Sequence, residues 1–132
     1  RYFNVYGPRE PLKGVYAPVV GLFLKQFKEG KPMTIVGDGS QTRDFTHVKD
    51  VVKANIAAVK NDKEEIFGEV FNVGTGVNYT VLDLAKNIGG DYQFIDSREG
   101  EAHDTLADIS KIKSLLNWEP CGNIMKYIDS NK

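Results

Sequence analysis

The spacing of apolar residues divides the chain into short elements of two types. Apolar positions at helical spacing predict helices over residues 18–29, 46–60, 81–88 and 109–116, with a last amphipathic turn or two over 123–128. Runs of β-branched and aromatic residues predict strands over residues 1–6, 33–36, 41–45, 70–73 and 92–95. Thr80 and Asp83 form a capping-box signature at the start of the third helix. The mixture predicts an α/β fold of short strands and three or four helices.

A glycine-bracketed turn, Gly37-Asp38-Gly39, lies at the centre of this pattern. It separates the predicted strands 33–36 and 41–45, and Asp-Gly favours a hairpin because both residues accept positive φ. The next helix, predicted to begin with Thr46 as N-cap, has one face formed by Val48, Val51, Val52, Asn55, Ile56 and Val59. Arg43 is therefore expected at the end of a hairpin, just before a helix N-terminus.

Length, charge and cysteine content narrow the class of protein. The 132 residues fit one domain that can bury a core. A net charge of −1 argues against nucleic acid or an anionic membrane as partner, because such partners usually require a basic excess. No apolar run approaches the roughly 20 residues of a membrane span. The single cysteine, Cys121, excludes an internal disulfide and fits a reducing, cytoplasmic compartment.

Several common catalytic motifs are absent from the sequence. Neither Gly37-Asp38-Gly39 nor Gly74-Thr75-Gly76 is followed by the third glycine of a dinucleotide fingerprint, and there is no P-loop. No Gly-x-Ser-x-Gly elbow supplies a hydrolase nucleophile. The spacing of His47, His103 and Cys121 does not suggest a metal site.

Two arginines on glycine-containing loops are the leading site candidates. Arg43 and Arg98 each lie beside a predicted strand, and two such guanidinium groups could clamp a diphosphate. Asp44 could orient Arg43, and Glu101 could accept hydrogen bonds from ribose hydroxyls. The alternative for each arginine is a solvated surface side chain or a local ion pair. Asn4, at a strand end, is by default a turn residue.

Five segments in order resemble the extended short-chain dehydrogenases/reductases, specifically the NAD-dependent nucleotide-sugar epimerases and dehydratases. They are Arg1–Arg9, Gly37–Val52, Phe71–Gly76, Arg98–Glu101 and Leu116–Pro120. A sixth segment, Gly14–Val20, is most similar to the uridine-diphosphate-sugar 4-epimerases, particularly the branch acting on N-acetylated sugars. The resemblance covers essentially the whole chain.

The resemblance implies that residues 1–132 are a C-terminal nucleotide-sugar-binding domain whose Rossmann half is missing. Residues 1–6 would be a strand of that half, which would bind most of the NAD. The chain also opens in a strand without an initiator Met, so either its first strand is an exposed edge or, as we expect, the chain is a piece of a longer protein. The implied roles are diphosphate or sugar binding for Asn4, nicotinamide contact for Phe3, nucleotide pocket for Ala17 and Val20, phosphate binding for Arg43 and Arg98, ribose binding for Glu101, and room around the sugar C2 substituent for Thr105.

The sequence departs from the family at the catalytic groups. The glycine-rich NAD fingerprint and the Tyr-x-x-x-Lys pair are absent, so the chain alone is expected to bind substrate weakly and to be inactive. We therefore interpret it as the substrate-binding portion of a nucleotide-sugar 4-epimerase, with a homodimer of the full-length enzyme as one option for its assembly. A 4,6-dehydratase or reductase of the same superfamily is the nearest alternative. A non-catalytic interaction domain on the same scaffold is an alternative of another class.

Overall fold

The computed structural model describes residues 1–14, 17–98 and 100–132. Its strands are β1 (Asn4–Tyr6), β2 (Met33–Val36), β3 (Thr42–His47), β4 (Asn78–Thr80) and β5 (Tyr92–Ile95). Its α-helices are α1 (Val19–Lys28), α2 (Val48–Lys60), α3 (Val81–Ile88), α4 (Ser110–Leu116) and α5 (Ile124–Asn131), and Glu64–Ile66 form a 3-10 turn. The α/β class is confirmed. The described part contains five helices, one more than the upper limit predicted from the sequence.

The strands form two small sheets, with the orders β1-β3-β4 and β2-β5. In the first sheet β1 runs parallel to β3, with Asn4 opposite Phe45, and β4 runs antiparallel to β3. Tyr2 bridges to Val73, and the Phe3 amide donates to the Val73 carbonyl at 3.0 Å. The predicted strand at 70–73 is therefore reduced to a single bridge in the described structure.

The predicted hairpin at Gly37–Gly39 is wrong. β2 pairs in parallel with β5, from Met33 opposite Tyr92 to Val36 opposite Ile95, and makes no ladder with β3. Both glycines do have positive φ, 62° and 77°, but the turn carries the chain from one sheet to the other. Gly39 lies so close to Ile35 that an added Cβ would be 2.9 Å from its Cγ2 atom. The sequence therefore predicted the positive φ angles of the turn correctly, but it did not predict which strands pair.

Two buried clusters hold these elements together. The larger lies between the β2 end of the molecule and helices α1, α3 and α5; its fully buried members include Phe23, Met33, Ile35, Leu84 and Ile128. The smaller joins α2 to α4 and includes Val51, Ala54, Ile112 and Trp118. The candidate site described below lies where β1, β2, β3 and the start of α1 converge.

Helix α2 turns a different face to the core than the sequence predicted. Val51 and Ala54 are buried, whereas Val52, Ile56 and Val59 are 51%, 48% and 86% exposed. The helical period was correct, but the narrow buried face is formed largely by small residues. The result is an apolar stripe on α2, Val52-Ile56-Val59, that faces away from the core of the described chain.

Helix starts follow local hydrogen-bonding chemistry. The capping box at α3 is confirmed: Thr80 accepts from the Asp83 amide at 2.9 Å, and the Asp83 carboxylate receives the Thr80 amide. Helix α2 is capped by His47, whose Nδ1 accepts from the Lys49 amide at 3.1 Å, and not by Thr46. Thr46 instead lies fully buried within β3.

Candidate functional site

A cavity of about 350 Å³ opens where the two sheets and α1 meet. Five residues proposed from the sequence line it together: Asn4, Ala17, Arg43, Arg98 and Glu101. The rest of the lining comes from the start of α1, from β2 and from the residues that follow it: Pro18, Val19, Leu22, Thr34, Val36, Gln41, Val81 and Ile95. The cavity lining therefore combines apolar side chains with two arginines and one carboxylate.

Arg43 is held on one side by backbone carbonyls. Its Nη1 donates to Thr42 O at 2.8 Å and to His103 O at 2.9 Å. Within residues 1–14, 17–98 and 100–132, no hydrogen bond engages its Nη2 or Nε atoms. The guanidinium is thus fixed by one nitrogen while its remaining donors are available to an anion in the cavity.

Asp44 does not orient Arg43, contrary to the sequence-based expectation. It is fully buried on the opposite side of β3, where its carboxylate accepts from the Thr75 amide at 2.8 Å, the Thr75 hydroxyl at 2.7 Å and the Gly76 amide at 2.9 Å. It also accepts from the Ala107 amide at 3.2 Å. Asp44 therefore joins β3 to two other segments and has a structural role behind the site.

Residues 103–105 run alongside β3 next to Arg43. The Thr42 amide donates to His103 O at 3.0 Å, and the Thr105 amide donates back to Thr42 O at 3.1 Å. The His103 ring contacts Ser40 Oγ through Nε2 at 3.2 Å and Asp104 Oδ2 through Nδ1 at 2.9 Å. Hydrogen bonds from His103 and Thr42 hold the pKa of Asp104 below its ordinary value.

Arg98 and Glu101 reach the cavity from the loop that follows β5. Because β5 pairs with β2, the loop after β5 is brought beside the turn at Gly37 and, through it, near Arg43. Glu99, within the motif that suggested this loop, lies outside the described residues. The fold thus brings Arg43 and Arg98 to one cavity although they lie fifty-five positions apart in the sequence.

The other residues implied by the resemblance are not among those that line the cavity. Val20 is 1% exposed in the core, and its neighbour Val19 lines the cavity instead. Phe3 lies outside the cavity lining, and so does Thr105, whose hydroxyl donates to Asn4 Oδ1 at 3.2 Å. Within the Gly14–Val20 segment, Val15 and Tyr16 lie outside the described residues.

Sequence reasoning missed several lining residues on β2 and just after it. Thr34 and Val36 face the cavity while Met33 and Ile35 are fully buried, so the alternation of a strand contained this signal. Gln41 was also missed; its Nε2 donates to Val36 O at 2.9 Å. These residues add apolar and neutral polar surface next to the two arginines.

The glycine turns do not form a dinucleotide cradle. A Cβ at Gly74 would lie 2.3 Å from Ala107 Cβ and 2.8 Å from Asp44 Oδ2, so this glycine serves close packing in the interior. Gly39 packs against Ile35 and Leu82. Gly39 and Gly74 are therefore explained by close packing against neighbouring side chains.

Two further findings bear on the kind of protein. In the described ranges, no group of three or more His, Cys, Asp and Glu side chains is placed to hold a metal ion. Among the same residues, no helix combines the length and the apolar character needed to cross a membrane.

Comparison with known proteins places this cavity in a family context. The profile of the NAD dependent epimerase/dehydratase family matches residues 1–74. The structure superposes on UDP-glucuronic acid 4-epimerase from Bacillus cereus, in complex with UDP-glucuronic acid and NAD, with a TM-score of 0.87, 37% identity, and coverage of 99% of this chain and 42% of that one. UDP-N-acetylglucosamine 4-epimerase from Methanobrevibacter ruminantium, in complex with UDP-N-acetylmuramic acid, gives a TM-score of 0.89, 33% identity, and coverage of 99% and 43%.

Similarity extends to a decarboxylase. UDP-glucuronic acid decarboxylase 1 of Arabidopsis thaliana is 37% identical over 126 residues, which cover 91% of this chain and 28% of that protein. The chain spans well under half the length of the proteins it matches.

Proposed function

The chain belongs to the NAD dependent epimerase/dehydratase family, and from that premise we propose that it is the part of a nucleotide-sugar 4-epimerase that anchors the substrate diphosphate. The substrate would be a UDP-hexose or a UDP-N-acetylhexosamine. Similarity to 4-epimerases whose structures contain UDP-glucuronic acid and UDP-N-acetylmuramic acid supports this class.

One observation carries the proposal: Arg43 and Arg98 line the same cavity. The lining holds these two cations and one carboxylate, that of Glu101. The excess of positive charge favours an anionic ligand. Guanidinium groups recognise phosphate oxygens in paired hydrogen bonds, and a diphosphate offers oxygens to both. The apolar lining residues, which include Val36, Val81 and Ile95, suit the planar base of a nucleotide.

The role of the chain would be binding and orientation. Arg43, Arg98 and Asn4 would hold the diphosphate, and Glu101 would accept hydrogen bonds from the ribose. Catalytic groups and most of the NAD site would belong to a Rossmann half outside these 132 residues, because the chain carries neither the glycine fingerprint nor the Tyr-x-x-x-Lys pair. We predict that the chain alone binds nucleotide sugars weakly and does not turn them over.

The exposed apolar stripe Val52-Ile56-Val59 fits this division of labour. The three side chains lie on one face of α2, and Val59 is 86% exposed. An apolar patch of several neighbouring side chains is typical of a surface that another part of a protein covers. We propose that the stripe and the strand at residues 1–6 are covered by the Rossmann half in the longer protein. A homodimer of that longer protein would then form elsewhere.

A UDP-sugar decarboxylase is a second candidate for the longer protein. The 37% identity to the Arabidopsis decarboxylase favours it, and the diphosphate-anchoring role of this chain would be the same. The longer protein, supplied with UDP-glucuronic acid, decides between them: release of carbon dioxide supports the decarboxylase, and a 4-epimer of unchanged mass supports the epimerase.

Titration of the isotopically labelled chain tests the proposed binding directly. NMR spectra recorded with UDP, with UMP and with the free sugar should show millimolar or tighter binding for UDP, weaker binding for UMP and none for the sugar. Shifts should concentrate on the cavity residues. Equal affinity for UDP and UMP would overturn diphosphate anchoring, and the absence of any nucleotide binding would favour an interaction domain.

A further inference from the structure

Residues 103–105 are attached to β3 firmly enough to place Thr105 accurately. Two backbone hydrogen bonds join the segment to Thr42, and Asp104 also accepts from the Thr42 hydroxyl at 2.7 Å. The Thr42 hydroxyl in turn accepts from Asn78 Nδ2 at 2.9 Å, which ties the same point to β4. Thr105 is therefore positioned by main-chain and side-chain contacts that do not depend on a ligand.

The hydrogen bonds of the Thr105 hydroxyl assign its proton. The backbone amide of Asp44 donates to Thr105 Oγ1 at 3.3 Å, so the hydroxyl oxygen acts there as an acceptor. Its own proton is directed to Asn4 Oδ1, 3.2 Å away. In the structure Asn4 presents its oxygen, Oδ1, to Thr105, so its NH2 group points in the other direction.

We propose that Thr105 is a positioning residue that fixes the Asn4 carboxamide with its two N–H donors towards the cavity. Asn4 lines the cavity, and no other hydrogen bond restrains its side chain within the described ranges. This end of the cavity would then offer two N–H donors to a hydrogen-bond acceptor such as a diphosphate oxygen. The inference rests on the proposed function for its ligand, but not for the orientation of Asn4.

The location of Thr105 supports an indirect role. Its side chain is not among the residues that line the cavity, and it contacts Asn4, which is. The family resemblance implies a different role for Thr105, that of limiting room around the sugar C2 substituent. A steric gate would depend on the size of the side chain. A positioning residue depends on its hydroxyl, and this difference makes the two roles separable by Thr105→Ser and Thr105→Val.

The first arm of the test needs no ligand. In NMR spectra of the labelled chain, the Asn4 side-chain NH2 should show restricted motion, retained in Thr105→Ser and lost in Thr105→Val. Valine matches the shape of threonine without the hydroxyl, and serine keeps the hydroxyl without the methyl group. An Asn4 amide equally mobile in all three proteins, or unaffected by Thr105→Val, would overturn the proposal.

The second arm measures UDP affinity. Thr105→Val should raise the Kd for UDP by roughly three- to tenfold, the effect of one hydrogen bond, while Thr105→Ser stays within about twofold. In an Asn4→Ala background, Thr105→Val should have no further effect on the Kd. If Thr105→Val still raises the Kd for UDP in the Asn4→Ala background, Thr105 does not act through Asn4 and the proposal is wrong. If the unmodified chain binds no UDP, the proposed function fails, and the first arm still decides the orientation of Asn4.

Discussion

The guanidinium of Arg43 donates through Nη1 to the main-chain carbonyl of His103, 2.9 Å away and sixty residues later in the chain. The contact fixes one edge of the guanidinium to backbone and leaves the rest of its donors towards the cavity. A donor that is ordered before the ligand arrives loses less conformational entropy on binding. Arg43 is therefore the side chain for which substitution is expected to be most informative.

Arg43→Ala should weaken UDP binding by about 1.5–3 kcal/mol, the range for a hydrogen bond to a charged group. Arg43→Lys should restore only part of the loss, because a lysine keeps the charge without the planar fork. NMR titration or calorimetry measures both. Lys86→Ala, an exposed cation on α3, serves as the control for a general charge effect. Equal losses of UDP affinity in Arg43→Ala and Lys86→Ala would mean that Arg43 is an ordinary surface arginine.

Asp44→Asn should destabilise the fold more than it affects the cavity surface. Its buried carboxylate accepts from Thr75, Gly76 and Ala107, and an amide would set an NH2 group against some of these donors. We expect the free energy of unfolding to fall by at least about 2 kcal/mol, measured by urea denaturation. The matched control is Asp62→Asn, an exposed aspartate in the connection after α2. If both substitutions lower the free energy of unfolding by the same amount, the assignment of a structural role to Asp44 is wrong.

These two residues show which parts of the site were readable from the sequence. Arg43 was found because it follows a glycine turn and lies next to a strand and a helix, all of which are local signals. The buried role of Asp44 was missed because its partners, Thr75 and Ala107, lie 31 and 63 residues away. Sequence spacing gives no direct measure of such contacts.

The same distinction explains the successes and errors in the fold. The capping box at Thr80 depends on residues three positions apart, and it was predicted correctly. The Gly37–Gly39 turn was assigned to a hairpin because a favourable turn does not specify which strands pair, and β2 pairs with β5 instead. The helical period of α2 was likewise visible, but which face the rest of the chain covers is a tertiary property.

Glu10 should make stability depend on pH in the neutral range. Burial raises its pKa to about 7, although backbone N–H groups of Gly21 and Gly7 oppose the shift. Glu10 lines a groove between α1 and α5. The other charged or titratable residues of this groove are Arg9, Lys25, Lys28, Glu29 at the C-cap of α1, and Tyr127 of α5. The folded chain thus retains a proton that a free glutamate loses near its ordinary pKa of 4.5.

The sign of the effect follows from this linkage. The contribution of the raised Glu10 pKa to the free energy of unfolding is fully present below pH 4.5 and is lost as the pH rises through about 7. Between those limits the unfolding free energy should fall by about 1–3 kcal/mol relative to Glu10→Gln, which cannot titrate. Urea denaturation across this pH range measures the difference, with the exposed Glu64→Gln as control. Parallel pH profiles for wild type and Glu10→Gln would contradict the assignment.

The most direct test of diphosphate anchoring is a crystal structure of the chain soaked with millimolar UDP. The diphosphate oxygens should lie within hydrogen-bond distance, about 2.7–3.2 Å, of the Arg43 and Arg98 guanidinium groups, with Asn4 Nδ2 facing the same group. The His103 carbonyl should still accept from Arg43 Nη1. A diphosphate bound away from both arginines, or a nucleotide whose phosphates face solvent while only the base enters the cavity, would contradict the proposed role.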